Sequence, residues 1–463
     1  MPGRSIERRG KSMPYPKNFI WGCATSSYQI EGAYKTEGKG LNIWDVYSHE
    51  KGKIFDGHTG DVACDHYHNY KEDVQIMAEL GLKAYRFSIN WSRILPEGVG
   101  KVNEAGIQFY SDLIDCLLEH NITPFITLYH WELPYELHKR GGWLNPDIVE
   151  WFGEYAALVS QLFSDRVKDF FTINEPQVFI GLGYITGEHA PGLLTTLSDQ
   201  LIMHQNVLKA HGRAVQRLRE NAKQPLSIGF APTSSMDYPA SDKKEDIDAA
   251  RKAIFSIPED LSRWAWNVTT WSDPVLLGEF PQEFLNRFEA YMPHYTDGDM
   301  KLISEPTDIY GQNIYNGHAI RQGQDGNPEY VKRNPGYAQT ANHWPVTPKS
   351  LYWGPYFLYE RYKKPLYITE NGVACVDYPS KDGKIHDYSR INFLESYLDE
   401  MEKVSEKIDL RGYFQWSLLD NFEWNFGYRD RFGIVYVDYE TQKRTLKDSA
   451  LWYKEYIKSH SYI

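Results

Sequence analysis

The sequence has few cysteines and no long apolar run. These two features argue against a disulfide-rich protein and against a membrane-spanning protein. The four cysteines, Cys23, Cys64, Cys116 and Cys375, lie far apart and form no CxxC pair. This spacing favours buried, reduced thiols over a disulfide framework or a zinc site, and it predicts a cytoplasmic protein. No stretch approaches the roughly 18 consecutive apolar residues of a membrane span. The opening stretch MPGRSIERRGKSMPYPKNF is basic without an apolar segment, so we expect neither a secretory signal nor a membrane partner.

Positive charge is also scarce relative to negative charge. Lys and Arg total 50 against 62 Asp and Glu, which gives a formal charge of −12. Nucleic-acid binding needs clustered Lys and Arg against phosphate, so we expect no nucleic-acid partner. Aromatic residues, in contrast, make up 15% of the chain, with 14 Trp and 34 Tyr. Most of them must serve packing, but flat rings also stack on the C–H faces of sugars.

The chain contains no linker or low-complexity tract that would divide its 463 residues. We expect residues 1–13 to form a flexible extension and residues 14–463 to form one domain. This length is large for an ordinary domain but within the range of an α/β barrel with insertions. The sequence leaves open whether the protein is a homo-oligomer.

Short β-like runs alternate with amphipathic helical stretches along the chain. The runs are NFIWGCATS, KAYRFSI, TPFITLYH, VKDFFTI, LSIGFAP, DIYGQNIY, KPLYITE and RGYFQWSL. Between the first two, Tyr70, Val74 and Met77 keep helical spacing until Gly81 stops the helix. Such alternation predicts an α/β fold with a parallel sheet, and eight strands favour closure into a (β/α)8 TIM barrel. The absence of G-x-G-x-x-G after the first run disfavours an open dinucleotide-binding sheet.

The longest connections follow the C-terminal ends of strands, where barrel enzymes build their active sites. They comprise residues 31–66, 176–200, 318–347, 372–389 and 419–433. Polar or aromatic residues stand at the strand ends and would converge on one opening: Gln29, Arg86, His130, Asn174, Glu175, Asn313, Tyr315, Glu370 and Trp416. One such residue proves little, but so many equivalent positions are hard to assign to packing.

Two carboxylates among these residues suggest a reaction. Glu175 lies in the stretch TINEP after the fourth run, and Glu370 lies in ITENG after the seventh. Each has a plain alternative as a turn residue, because one precedes Pro and the other precedes Asn-Gly. Paired carboxylates across a sugar are the usual apparatus of glycoside hydrolysis. Because like charges raise one pKa, we expect Glu175 to be protonated and Glu370 ionised, with Arg86 and Tyr315 stabilising the ionised group.

The chain resembles glycoside hydrolase family 1, the retaining β-glucosidase family, across residues 14–460. The motifs that carry the resemblance stand in the right order and spacing: FIWGCATSSYQIEG, YRFSINWSRILP, TLYHWELP, TINEP, ITENG and WSLLDNFEWNFGYRDRFG. The resemblance implies an acid/base at Glu175 and a nucleophile at Glu370, with no cofactor and no metal. It also implies a site for a small β-glycoside formed by Gln29, His130, Trp131, Asn174, Asn313, Tyr315, Trp344, Trp416, Glu423, Trp424 and Phe432.

Details of the match restrict the substrate. Relatives that cleave 6-phosphorylated sugars replace the Glu-Trp of the FEW stretch by smaller and basic residues, whereas this chain keeps Glu423-Trp424. A carboxylate there disfavours phosphate. Thioglucosidase relatives carry Gln in place of Glu175, and binding-only relatives have lost a catalytic Glu. The resemblance therefore implies a retaining exo-β-glycosidase with its carboxyls about 5 Å apart.

Among retaining enzymes, the resemblance favours a β-glucosidase acting on cellobiose, short oligosaccharides or aryl and alkyl glucosides. It leaves open a β-galactosidase, a β-fucosidase, a 6-phospho-β-glucosidase or a transglycosidase. A sugar-binding protein without catalysis is a further alternative, which the intact Glu175 and Glu370 disfavour.

Two positions depart from the family pattern, and one cluster imitates a metal site. Glu132 follows Trp131 where the family often has Asp, and Ile314 replaces a Tyr. We expect both changes to affect aglycone preference more than the chemistry. The run Asp65-His66-Tyr67-His68 could suggest metal ligands, but no distant ligand set is apparent, and a structural use is favoured.

Overall fold

Eight parallel strands form the centre of the computed structural model, which describes residues 15–461; the predicted extension 1–13 lies outside the described residues. The strands are β1 (Ile20–Ala24), β2 (Ala84–Ser88), β3 (Thr123–Tyr129), β4 (Asp169–Asn174), β5 (Ser227–Ala231), β6 (Tyr310–Asn313), β7 (Leu366–Asn371) and β8 (Leu410–Trp416). They pair in the order β5-β4-β3-β2-β1-β8-β7-β6, and Thr233 just after β5 bridges Asn313 in β6. The predicted (β/α)8 barrel is confirmed, with each strand inside its predicted run or within one residue of it.

Helices cover the outside of this barrel. The longer ones are His66–Glu79, Glu104–Glu119, Ile148–Phe163, Leu197–Glu220, Lys244–Phe255, Thr269–Leu276, Gln282–Phe288, Asp297–Ile303, Ser350–Tyr362, Tyr388–Ser405 and Asp448–His460. Single turns occur at Ser27–Ile30, Ile43–Tyr47, Trp91–Ile94, Tyr135–Lys139 and Pro176–Ile180, with a π-turn at Gly181–Ile185. None of the helices in residues 15–461 is long and apolar enough to cross a membrane.

The 3₁₀ turns and the remaining short strands lie in the connections. The turns are Thr36–Gly38, Phe55–Gly57, Gly142–Leu144, Leu261–Arg263 and Trp424–Phe426. Tyr238–Pro239, Ala319–Gln322 and Pro328–Tyr330 form a small sheet, and Val435–Val437 pairs with Arg444–Leu446. These pieces order the long connections that the sequence placed at the C-terminal ends of the strands.

The helix pattern follows from sequence periodicity. In Ile148–Phe163, Phe152, Ala156 and Val159 recur at helical spacing and are all fully buried. The partner helix Leu197–Glu220 begins with a capping box: Thr196 Oγ1 accepts a hydrogen bond from the Asp199 backbone N–H. The predicted helix end at Gly81 is confirmed, because the helix His66–Glu79 ends just before it and Gly81 has φ +76°.

The barrel interior is filled by side chains of contrasting size. Phe125, Phe171 and Phe414 project into it and pack with the small Ala84. Gly22 on β1 is required by this packing, because a Cβ there would lie 2.7 Å from the ring of Phe414. The barrel is therefore a packed core with its site at one end.

The histidines that imitate a metal site have structural partners. His66 Nδ1 lies 2.7 Å from the buried carboxylate of Asp73, which also accepts a hydrogen bond from Arg444 Nε at 2.9 Å. His68 lies at the surface, 2.6 Å from Asp65. Among residues 15–461, no three His, Cys, Asp or Glu residues are grouped to hold a metal ion.

Buried charges join the connections that follow β7 and β8. We call this set the loop ion network: Asp377, Asp387, Arg390, Asp420, Arg431 and Lys447. Lys447 Nζ lies 2.5 Å from Asp377 and 2.7 Å from Asp420, with no side-chain exposure. Arg390 Nη2 lies 2.7 Å from Asp377 and also donates to the Arg431 carbonyl. Three carboxylates and three cations thus balance inside the protein and fix the two connections together.

Lys447→Met is expected to lower the free energy of unfolding by about 3–5 kcal/mol, because it leaves the three carboxylates of the network with two cations and one uncompensated buried negative charge. Urea denaturation measures the loss. The matched control is Lys139→Met, since Lys139 forms an exposed pair with Glu136 and its removal is expected to cost below about 1 kcal/mol. Equal losses in the two variants would show that burial of the network adds nothing.

Candidate active site

A cavity of about 260 Å³ opens at the C-terminal end of the barrel. Its lining residues lie at the C-terminal ends of six strands, β3 to β8, or in the connections after them. They are His130, Trp131, Glu175, Val178, Leu182, His189, Thr233, Ser234, Ser235, Trp266, Tyr315, Asn316, Trp344, Glu370, Trp416, Glu423, Trp424, Asn425, Phe426 and Phe432.

Glu175 lies where β4 ends, on a backbone in the left-handed region with φ 45° and ψ 64°. Pro176 disfavours the right-handed helical region for the residue before it, but it does not select the left-handed one. The left-handed geometry costs of order 1–3 kcal/mol, and a hydrogen bond of 2.9 Å from the Glu175 N–H to the Ala231 carbonyl helps to hold it. The helix Pro176–Ile180 then starts with proline at a position where the missing N–H costs little.

Glu370 lies in β7 and is held by two donors. Arg86 Nη1 donates to Oε1 at 2.7 Å, and the Tyr315 hydroxyl donates to Oε2 at 2.7 Å. Arg86 projects from β2 and is 1% exposed, so its charge is poorly screened by water. Glu175 is contacted instead by an amide, because Asn313 Nδ2 donates to its Oε1 at 2.8 Å. The two carboxyls therefore have unequal partners.

These partners set the order in which the carboxyls ionise. Burial and the neighbouring Glu370 carboxylate raise the pKa of Glu175 to about 8. Burial also raises the pKa of Glu370, but the Arg86 guanidinium and the Tyr315 hydroxyl oppose that rise. Glu370 consequently loses its proton first, and Glu175 is the group that can hold a proton near neutral pH.

A layer of amides lies behind the carboxyls. Asn174 Oδ1 accepts from Arg86 Nη2 at 2.6 Å, and Asn174 Nδ2 lies 3.2 Å from His130 Nε2. Burial, followed by the charge of Arg86, lowers the pKa of His130 well below its usual value. The His130 ring is therefore neutral, and Nε2 is the acceptor for the Asn174 amide.

Gln29, which follows β1, contacts Glu423, which follows β8. Gln29 Nε2 lies 3.3 Å from Glu423 Oε2 and 3.0 Å from the Phe422 carbonyl, and its Oε1 accepts from Ser26. Burial and then the Asp430 carboxyl raise the pKa of Glu423 well above its usual value, and Gln29 opposes this rise. Gln29 thus contacts the cavity through Glu423.

Aromatic rings form the remaining walls. Trp416 is 3% exposed and stacks against His130 with ring centroids 5.7 Å apart and 12° between planes. Trp424 packs on Trp131 at 4.4 Å, deep in the cavity. Trp344, by contrast, is 37% exposed and stands at the opening. The apolar C–H face of a sugar ring can pack against aromatic rings of this kind.

The structure brings most of the predicted residues to one place. His130, Trp131, Glu175, Tyr315, Trp344, Glu370, Trp416, Glu423, Trp424 and Phe432 line the cavity. Gln29, Arg86, Asn174 and Asn313 are fully buried behind that lining and bond its members. The catalytic and binding roles given to these residues stay predictions.

Several lining residues were missed. Thr233, Ser234 and Ser235 directly follow β5, so the rule that singled out other strand ends could have found them. Val178 and Leu182 carry a weaker signal, namely helical spacing after Glu175. Trp266 lies far along the chain from any strand end, and no local pattern marks it.

The two departures from the family pattern do not line the cavity. Glu132 is buried, its Oε1 accepts from Ser27 Oγ at 2.6 Å, and burial raises its pKa to about 8. Ile314 is fully buried, and its N–H donates to the Glu370 carbonyl at 2.9 Å. Any effect of either residue on the aglycone must therefore act through its neighbours.

Comparison with known proteins agrees with this geometry. The family model described as glycosyl hydrolase family 1 matches residues 11–462. The chain is 44% identical over 450 residues to β-glucosidase A of Thermotoga maritima, covering 96% of this chain and 98% of the relative. It is also 44% identical to a 1,4-β-D-glucan glucohydrolase of Thermotoga neapolitana, covering 96% and 98%.

A solved structure is similar over nearly the whole length. The β-glucosidase from Thermotoga maritima in complex with glucoimidazole superposes with a TM-score of 0.87 at 44% identity, covering 97% of this chain and 99% of that one. The chain belongs to glycosyl hydrolase family 1 and is a retaining glycosyl hydrolase.

Proposed function

We propose that the protein is an exo-acting β-glucosidase that releases glucose from cellobiose, short oligosaccharides, and aryl or alkyl glucosides. One observation carries the proposal: two buried carboxyls share one cavity, and Arg86 contacts Glu370 whereas an amide contacts Glu175. The names of the relatives, β-glucosidase and 1,4-β-D-glucan glucohydrolase, support glucose as the released sugar. Participation in cellulose degradation is part of this proposal.

In the proposed reaction, Glu370 attacks the anomeric carbon while Glu175 protonates the departing glycosidic oxygen. The C–O bond to the aglycone breaks, and a covalent glycosyl ester forms on Glu370. Glu175, now ionised, takes a proton from water, and that water attacks the same carbon to release the sugar and Glu370. Two inversions at the anomeric carbon give net retention. A carboxyl separation of about 5 Å is expected, against roughly 6.5–9.5 Å for inverting enzymes.

The surrounding residues have proposed roles in holding the sugar. Trp416 is the platform for its apolar face, and Tyr315 orients Glu370 as well as contacting the ligand. His130, Trp131, Asn174 and Asn313 would face the hydroxyls nearest the reacting carbon. Glu423, held by Gln29, and Trp424 would contact the far end, while Trp344 and Phe432 would flank the leaving group.

A non-phosphorylated sugar is favoured by the charges around Glu423. Among the residues that line the described cavity, there are carboxyls and rings but no Lys or Arg to pair with a phosphate. A second candidate, β-galactosidase activity, has a specific basis: a Thermotoga maritima β-glucosidase has been solved in complex with galacto-hydroximolactam. β-Fucosidase activity and transglycosylation are further variants of the same chemistry.

The test is a panel of 4-nitrophenyl β-glycosides that differ only in the glycone. We expect the glucoside to have a higher kcat/KM than the galactoside, and the 6-phosphoglucoside to have the lowest. Proton NMR of the early reaction is expected to show the β-anomer of glucose first. Early appearance of the α-anomer would refute retention, whereas a dominant galactoside would refute only the choice of sugar.

We further propose that residues 14–463 form one hydrolase domain located in the cytoplasm. The match of the family model across residues 11–462 supports the single domain. Reducing conditions suit the four cysteines, all of which are free thiols. A homo-oligomer is compatible with this proposal, and sedimentation would give the number of subunits.

A further inference from the structure

Both the nitrogen and the oxygen of the Asn313 side-chain amide form hydrogen bonds. Its Nδ2 donates to Glu175 Oε1 at 2.8 Å and to Asn174 Oδ1 at 3.1 Å. Its Oδ1 accepts from the Thr369 hydroxyl at 2.6 Å. Asn313, Asn174 and Thr369 have no solvent exposure, so water does not compete for these bonds.

Arg86 determines which atom is the donor in each of these hydrogen bonds. A guanidinium has donors only, so the Asn174 atom 2.6 Å from Arg86 Nη2 must be the amide oxygen. The Asn313 atom that faces this oxygen must then be the amide nitrogen. The other end of the Asn313 amide is therefore its carbonyl oxygen, and Thr369 is the donor that meets it.

In this arrangement, both N–H groups and the carbonyl oxygen of the Asn313 amide have hydrogen-bond partners. The two N–H bonds of Asn313 Nδ2 have two acceptors, Asn174 and Glu175, and the third corner of the amide is held by Thr369. Without the Thr369 hydroxyl, the Asn313 carbonyl becomes a buried acceptor without a partner. The amide is then free to tilt toward another donor and to lengthen its bond to Glu175.

We propose that Thr369 is a positioning residue for the proton donor: its hydroxyl fixes the Asn313 amide so that an N–H meets Glu175 Oε1. The inference rests on the proposed acid/base role of Glu175. Because an N–H bond stabilises the ionised carboxylate, it limits how far burial raises the pKa of Glu175.

The alternative is that Thr369 only fills space in β7. Its methyl group has a packing role, since a Cβ at Gly311 would lie 2.7 Å from Thr369 Cγ2. Thr369→Val keeps this methyl and replaces the hydroxyl by a second one, so the substitution isolates the hydrogen bond. Thr369→Ser does the reverse and keeps the hydroxyl.

The experiment compares two β-glucosides under kcat/KM conditions, which report formation of the glycosyl enzyme. A 2,4-dinitrophenolate leaves without protonation, whereas a methanol leaving group needs the acid. We expect Thr369→Val to lower kcat/KM by about 5- to 100-fold for methyl β-glucoside, which is part of the roughly 10²- to 10⁴-fold that a general acid contributes. The dinitrophenyl glucoside should be nearly unchanged. The alkaline limb of the Thr369→Val pH profile is expected to move to higher pH, and Thr369→Ser to behave as the wild type.

The matched control is Thr127→Val on β3. Thr127 is 1% exposed, and its hydroxyl has no hydrogen-bond partner among the described residues. It should reproduce any general effect of removing a buried hydroxyl without changing the leaving-group dependence. Equal losses with both glucosides and an unmoved alkaline limb in Thr369→Val would overturn the positioning role.

Glu175→Gln, measured in parallel, tests the acid/base role of Glu175 separately from the positioning role of Thr369. A strong leaving-group dependence in Glu175→Gln with none in Thr369→Val refutes only the role of Thr369. No leaving-group dependence in Glu175→Gln refutes the acid/base role itself, and the role of Thr369 with it.

Discussion

Glu370→Ala is expected to lower kcat for aryl β-glucosides by about 10⁵-fold or more, the scale seen when a covalent nucleophile is removed. The protein is expected to remain folded. Arg86 loses a carboxylate at 2.7 Å, but Glu175 no longer faces a neighbouring charge and can ionise to balance the guanidinium. Initial rates measure the first effect, and the thermal midpoint measures the second. Glu406→Ala, an exposed carboxyl on the protein surface, is the control.

Azide distinguishes a nucleophile from any other essential carboxyl. In Glu370→Ala, azide can enter the vacated space and attack the anomeric carbon once, displacing the aglycone and giving the α-glycosyl azide. A single displacement inverts the centre, whereas two displacements retain it. Isolation of the β-azide from this variant would show that Glu370 does not attack. Covalent labelling of the wild type by a 2-fluoro-glucoside should place the sugar on the same residue.

Glu175→Gln is expected to lower kcat/KM by about 10²- to 10⁴-fold for glucosides with poor leaving groups, the usual contribution of a general acid. The wild-type alkaline limb should disappear in this variant. Glu175 must be protonated to act as the acid, so wild-type activity is present below its pKa of about 8 and is lost as the pH rises through that value. The pH profile of kcat/KM for methyl β-glucoside measures both effects.

The companion substitution Glu175→Ala gives an independent check on that assignment. Azide added to it should intercept the glycosyl enzyme after Glu370 has attacked, and the product should be the β-azide. A persisting alkaline limb in Glu175→Gln, or an α-azide from Glu175→Ala, would assign the proton to another group. Glu423 would then be the first alternative proton donor to test, because burial also raises its pKa.

The barrel was predictable because its signal is distributed over the whole chain. Eight apolar runs separated by helical patterns admit few parallel topologies, and connections at one end of the strands then locate the site. Glu175 and Glu370 were found in this way, from opposite halves of the sequence. Their neighbours Arg86 and Tyr315 were found by the same rule.

The sequence could not predict contacts that form only when distant segments fold against one another. Trp266 reaches the cavity from the helical insertion between β5 and β6, so its place depends on how that insertion folds back. The sequence also did not show that the amide of Gln29, predicted to bind the sugar, contacts Glu423 and the Phe422 carbonyl. The left-handed backbone of Glu175 also has no local signal, because Pro176 excludes one region without choosing among the rest.

The loop ion network has a consequence for the order in which the enzyme becomes competent during synthesis. A nascent chain that extends through β8 already contains every barrel strand and both carboxyls. It then adds Asp420 and Arg431, but the cation that joins Asp377 to Asp420 is still missing. Lys447 comes after both connections, directly before the helix Asp448–His460. The two connections thus gain this link only after both have been translated, and a chain arrested before Lys447 would carry the catalytic groups without it.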